Sequence, residues 1–141
     1  MLKGIPPILT PELLKVLMEM GHGDELVLAD GNFPKFAHPA NVIRLDGHGI
    51  PEILDAILKF MPLDPYVEHP TILMEVLPND PYKPEIWPRY REIGAKYEKD
   101  GLREIAINKF EFYERAKKAY AVVATSEVAL YANMILKKGV V

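Results

Sequence analysis

Short apolar runs alternate along this chain with longer segments of helical spacing: ELVLAD at 25–30, VIRL at 42–45, TILMEV at 71–76, REIAIN at 103–108 and YAVVAT at 120–125. Runs this short and this continuously apolar read as strands covered on both faces. A helix between successive strands is what returns a chain to the same end of a parallel sheet. The pattern therefore predicts an α/β fold, a single domain over residues 1–141 whose mostly parallel sheet carries helices on both faces. A chain of 141 residues supports one sizeable core rather than two.

The helices announce themselves by their ends. Thr10-Pro11-Glu12 supplies a capping hydroxyl, a proline where no amide donor is needed, and an acid at the positive helix end. Leu13, Val16, Leu17 and Met20 follow on one face, and Gly21 is expected to take the left-handed stop. Pro51 opens a second helix with Leu54, Ile57, Leu58 and Met61 on its buried face. IWPRYREIGAKYEKDG reads as a third helix and FEFYERAKKA as a fourth. LPNDPYKP reads as a surface loop, DGHG at 46–49 as a tight turn, and YANMILKKGVV as a last extended segment.

Charge and composition narrow the function classes. The formal charge of −3 offers no basic footprint for nucleic acid or anionic lipid. The absence of cysteine excludes disulfides, thiolate metal sites and a cysteine nucleophile. No stretch approaches the roughly 20 apolar residues of a membrane span. Prolines and charges interrupt the first residues where a secretory leader needs an apolar core, so a cytoplasmic location is expected.

In parallel sheets ligands sit outside the carboxyl ends of the strands. His22, Asp30, Asp46, Asn108 and Lys109 all flank strand ends, which makes them candidates. His22, between two glycines that let the backbone bend tightly, pairs on this reading with Asp30 as an acid/base group and its orienting carboxylate. A helix-stop histidine and an unrelated loop acid form the structural alternative. His22 and Asp24, with His38, His48 and His69 elsewhere, match no metal-ligand spacing, so no metal is expected. Phe110, Phe112, Tyr113 and Tyr120 read as core rather than as a stacking platform. Tyr131 and Asn133, two apart in an extended segment, would share a face and grip sugar hydroxyls; a turn's own hydrogen bonds are the alternative.

The stretches PELLKVLMEMGHGDELVLADGNFP, VIRLDG, INKFEFYERAKKAYAVVATSE and YANMILKKGVV resemble the L-fucose mutarotase and D-ribose pyranase family, and GHGDE, FYERA and LKKGV match its fucose branch more closely. The resemblance implies an RbsD-like α/β fold in ring-like homo-oligomers, commonly decamers, with sites completed across subunit contacts. It implies interconversion of the α and β anomers of a free monosaccharide, L-fucose or a relative, without cofactor. By motif match His22 is the catalytic acid/base, Asp30 the adjacent carboxylate, and Tyr131 and Asn133 the Y-x-N sugar signature, with Tyr131 a second proton carrier or a clamp. Lys109 stands where fucose-branch relatives often carry arginine, keeping the charge and losing the bidentate fork. The competing readings are a D-ribose pyranase, a non-catalytic sugar-binding component of an uptake system, and an oligomeric scaffold with a vestigial pocket.

Overall fold

A computed structural model describes residues 1–34 and 41–141. His38 therefore lies outside the described residues. The elements follow the order α1 (Pro11–Glu19), β1 (Glu25–Ala29), β2 (Val42–Leu45), α2 (Ile50–Leu58), β3 (Thr71–Met74), α3 (Ile86–Tyr97), β4 (Glu104–Ile107), α4 (Lys109–Lys117), β5 (Ala121–Thr125) and β6 (Met134–Lys137). The six strands of the described residues form one sheet in the order β2-β5-β1-β6-β3-β4.

Strand β1 pairs parallel with β5, β2 with β5 and β3 with β4, whereas β6 runs antiparallel between β1 and β3. Strands β1 to β5 thus point one way and β6 alone the other, a mixed, mostly parallel sheet. Alternation along β1 separates the two sides: Leu26 and Leu28 face a large cluster with Leu13 of α1, Ile53 of α2 and Tyr90 of α3. Val27 and Ala29 face a smaller one with Phe112 and Ala116 of α4. Helices therefore cover both faces, three on one and one on the other. Each fully buried leucine or isoleucine contributes about 1.5–3 kcal/mol, so the larger cluster dominates the fold's stability.

Three local expectations need correction. Thr10 caps α1 as its sequence suggests, accepting from the Leu13 amide at 3.2 Å, but the left-handed residue after the helix is Gly23 (φ 87°), not Gly21. The Gly21 amide instead donates to Asp24 Oδ2 at 2.7 Å, and the turn that tips the chain into β1 falls two residues later. Only one face of α4 is buried, through Phe112 and Ala116, so Phe110 is exposed rather than core, and Tyr120, just before β5, is exposed as well. The Y-x-N segment is not extended, because Tyr131 sits at φ 57° and β6 starts only at Met134. No helix of the described residues is long and apolar enough to cross a membrane.

Candidate active site

Strand direction decides which side chains can meet. The carboxyl ends of β1, β2, β3, β4 and β5 open onto Asp30, Asp46, Glu75, Asn108 and Ser126, and β6 begins at that same edge, just after Tyr131 and Asn133. His22, preceding β1, lies at the opposite edge. The five residues of β1 separate it from Asp30, roughly 16 Å at a strand's rise of about 3.3 Å per residue. The expected His22–Asp30 pair is therefore not formed within one chain, and the polar groups divide into two half-sites.

At the amino edge, His22 Nε2 lies 3.1 Å from Asp64 Oδ1. A carboxylate can only accept here, so Nε2 carries the hydrogen and Nδ1 is left as the basic nitrogen. Asp64 is almost fully buried while the His22 side chain is nearly half exposed. Burial by itself would raise the Asp64 carboxyl; the Tyr66 amide, His22 and the charge of Lys137 outweigh it and hold the group below the usual carboxylate range. The segment carrying Asp64 is fixed by Arg103, whose guanidinium donates to the carbonyls of Asp64 (2.8 Å) and Val67 (2.7 Å). Tyr66 meets the imidazole edge-on, ring centroids 5.4 Å apart.

At the carboxyl edge, Asp30 and Asn133 form a reciprocal pair. Asn133 Oδ1 accepts from the Asp30 amide at 2.7 Å, and its Nδ2 donates to Asp30 Oδ2 at 2.9 Å. The Asn32 amide donates to the other carboxylate oxygen, so Asp30 is aimed by its own turn as well as by β6. Trp87 Nε1 donates to the Tyr131 carbonyl (2.8 Å) and the Tyr90 hydroxyl to that of Ala132 (2.7 Å). Burial first, then the charges of Glu127 and Asp30, push the Tyr90 phenol far up, keeping it a donor. The Tyr131 hydroxyl donates to Asp80 Oδ2 at 2.6 Å. Tyr131 and Asn133 are thus neighbours at one edge, reached through a turn rather than by strand alternation.

Glu127 ties this edge together. Its Oε2 accepts from the Ile50 amide at the start of α2, its Oε1 from the Val128 and Ala129 amides, each at 3.0 Å, and its carbonyl from Gly31. A Cβ on Gly49 would stand 2.9 Å from Glu127 Oε2, the end of a side chain that would have to shift, so glycine there leaves room for the carboxylate. Lys109 opens α4 at the same edge, with Nζ 5.6 Å from the Phe110 ring centroid. It follows β4, three strand positions from β1, roughly 14 Å at about 4.8 Å per strand. Among the described residues no hydrogen bond joins Lys109 to Asp30 or Asn133. Phe33, three residues past Asp30, packs edge-on against Phe112 and Tyr113 and couples α4 to the Asp30 turn.

Asp64, Asp80 and Glu127 were not legible as site residues. Asp64 is 42 positions from His22 and carries no local motif, while Asp80 lies in the loop read as a surface excursion. The asparagine-aspartate-proline run around Asp80 is an Asx-turn signal that could have drawn notice to it. Among the described residues no cluster of three or more histidine, aspartate or glutamate side chains could hold a metal ion.

A histidine of fixed tautomer at one edge, and a rigid array of carboxylate, amide and phenol at the other, define an α/β protein equipped to hold a small polyhydroxylated molecule and move protons on it. The chain belongs to the RbsD / FucU transport protein family, which matches residues 3–141. It is 53% identical over 145 residues to the fucose mutarotase of Homo sapiens, covering 99% of this chain and 94% of that protein. It superposes on the crystal structure of the fucose mutarotase in complex with L-fucose from Streptococcus pneumoniae with a TM-score of 0.93 at 52% identity, covering 99% of each chain. Bacillus subtilis RbsD complexed with D-ribose shares the fold alone, with a TM-score of 0.67 at 24% identity over 94% of this chain and 95% of that one.

Proposed function

We propose that this chain is an L-fucose mutarotase, an isomerase that interconverts the α and β anomers of the free sugar in the cytoplasm. The observation that carries the mechanism is His22 held through Nε2 by a buried carboxylate, with Nδ1 left to work. Mutarotation removes a proton from the anomeric hydroxyl while the ring oxygen gains one, lets the freed aldehyde rotate, and recloses the ring on the other face. Histidine gives and takes protons near neutral pH, and Asp64 faces the imidazolium each time Nδ1 is protonated. General acid/base help of ~10²–10⁴-fold suffices, because the reaction already proceeds in water. No Lewis acid or electron sink enters these steps.

Asp30 and Asn133 supply acceptor and donor to the sugar hydroxyls, with Tyr131 beside them and Lys109 a further binding group. Since His22 and Asp30 stand at opposite sheet edges, a site using both takes His22 from one copy and the Asp30 array from another. The working form in this reading is a ring-like homo-oligomer, a decamer, with sites at subunit contacts. An apolar groove of about 570 Å³ beside His22, lined in part by Met18, Phe60 and Val140, offers the surface a neighbouring copy would cover. All three side chains are exposed in the single chain.

NMR saturation transfer between the anomers of L-fucose, with D-ribose pyranose–furanose exchange in parallel, tests the activity. Faster fucose exchange that vanishes in His22→Ala is the expected result. Acceleration of ribose alone would make the protein a pyranase, and unchanged exchange for both sugars would end the enzymatic reading. Co-refolding His22→Ala with Asp30→Ala tests the shared site: mixed rings regain part of the rate, whereas a site within one chain regains none.

A further inference from the structure

The loop between β3 and α3 holds one carboxylate whose two oxygens do different work. Asp80 Oδ1 accepts from the Tyr82 amide at 2.9 Å, closing the loop on itself, and Oδ2 accepts from the Tyr131 hydroxyl at 2.6 Å. The Tyr82 and Tyr131 rings stack, centroids 6.1 Å apart and planes 22° from parallel. Tyr131 has a left-handed backbone, which a bulky residue adopts only when its surroundings hold it there. Here they hold both ends of the residue: Trp87 binds its carbonyl and Asp80 its hydroxyl.

A phenol has one hydrogen to give and two lone pairs to offer. With the hydrogen committed to Asp80, the oxygen presents lone pairs, of which the Leu77 amide at 3.4 Å takes only a distant share. We propose, resting on the mutarotase reading above, that Asp80 is a positioning residue for sugar binding: it orients the Tyr131 phenol as an acceptor for a sugar hydroxyl and locks Tyr82 against it. Tyr131 is then a clamp and not the second proton carrier. The electrostatics agree with this polarity. The Tyr131 hydroxyl and then the Tyr82 amide hold the Asp80 carboxyl below its usual range, against a smaller effect of burial. The same bond to Asp80, followed by burial and the Asp80 charge, raises Tyr131 despite the Leu77 amide.

Asparagine at position 80 cannot serve both partners, since only one of its terminal atoms accepts. The test measures fucose exchange against sugar concentration for wild-type protein, Asp80→Asn, Tyr131→Phe and the double variant. In the same preparations, protein carrying tyrosine labelled with ¹³C at Cζ reports the Tyr131 ionisation, assigned by its loss in Tyr131→Phe. Asp80→Asn and Tyr131→Phe should each raise KM roughly two- to tenfold, the range for one neutral hydrogen bond, with kcat within about twofold. The double variant should be no worse than Tyr131→Phe, because Asp80 acts through that hydroxyl. The Tyr131 Cζ titration should move to lower pH in Asp80→Asn.

Multiplying effects in the double variant, or a large fall in kcat at constant KM, would overturn the proposal, the second outcome in favour of a proton relay through the pair. Asp80→Glu, which restores two acceptor oxygens, should recover KM in part even if Asp80→Asn folds poorly. If wild-type protein leaves exchange at the solution rate, the mutarotase reading fails by itself. The Cζ titration is independent of turnover, and an unmoved resonance would refute the role given to Asp80.

Discussion

Replacing Asp64 by asparagine isolates the charge behind His22. Asparagine keeps the shape, and its Oδ1 still accepts from the Tyr66 amide and from His22 Nε2, now 3.0 and 3.1 Å away. What disappears is the negative charge facing the imidazolium formed when Nδ1 takes a proton. A hydrogen bond to a charged group contributes about 1.5–3 kcal/mol and a neutral one about 0.5–1.5, a difference of roughly 1–1.5 kcal/mol. At about 1.4 kcal/mol per tenfold, kcat should fall roughly 5- to 13-fold, well short of the loss in His22→Ala. The assay is saturation transfer between fucose anomers at saturating sugar, the uncatalysed exchange subtracted, with thermal unfolding run alongside. In the His22→Ala background the same substitution should change nothing further, because its effect passes through the imidazole. A wild-type kcat in folded Asp64→Asn, or an equal loss with and without His22, would refute the reasoning.

Acid should act on the same carboxylate. Its ionisation is favoured by folding, so its stabilisation is complete above the ordinary aspartate value near ~4 and is lost as pH falls through the lower folded value; between about pH 5 and 2, wild-type protein should lose more stability than Asp64→Asn in urea unfolding. Gly139→Ala should lower both stability, by about 1–3 kcal/mol, and kcat, because the added Cβ would stand 2.9 Å from the Asp64 Cα and closer still to the Leu63 carbonyl, backbone that cannot turn aside. Unchanged melting and turnover in the Gly139→Ala variant would show that segment to be slack. Thr71→Val should stabilise the fold by about 1 kcal/mol or more, since Thr71 is fully buried and its hydroxyl has no hydrogen-bond partner among the described residues; a lower Tm would reveal one.

The elements themselves were legible because helix and strand periodicity arise from contacts within a few residues. Thr10 and Pro11 place the start of α1, Pro51 falls in the first turn of α2, and the five apolar runs become β1 to β5. The alternation also implied a mostly parallel sheet, and so candidates at strand ends, His22, Asp30, Asp46, Asn108 and Lys109, without separating its two edges. Residue types suited to sugar chemistry were visible as well, and the resemblance of GHGDE and YAN to a known family agreed with the later matches to fucose mutarotases.

Strand order was not written in any local pattern. Nothing in MILK signals that β6 inserts antiparallel between β1 and β3, yet that insertion sets Asn133 beside Asp30, 103 residues earlier. The same topology sends His22 to the far edge, where a buried aspartate 42 positions away becomes its partner. Sequence alone determined most of the secondary structure, the fold class and the kinds of side chain on offer, since these follow from near-neighbour periodicity and chemistry. Which carboxylate orients the histidine, which one holds Tyr131, and that His22 and Asp30 stand apart within a chain were decided only by tertiary structure, because such pairings depend on how distant strands and loops close upon one another.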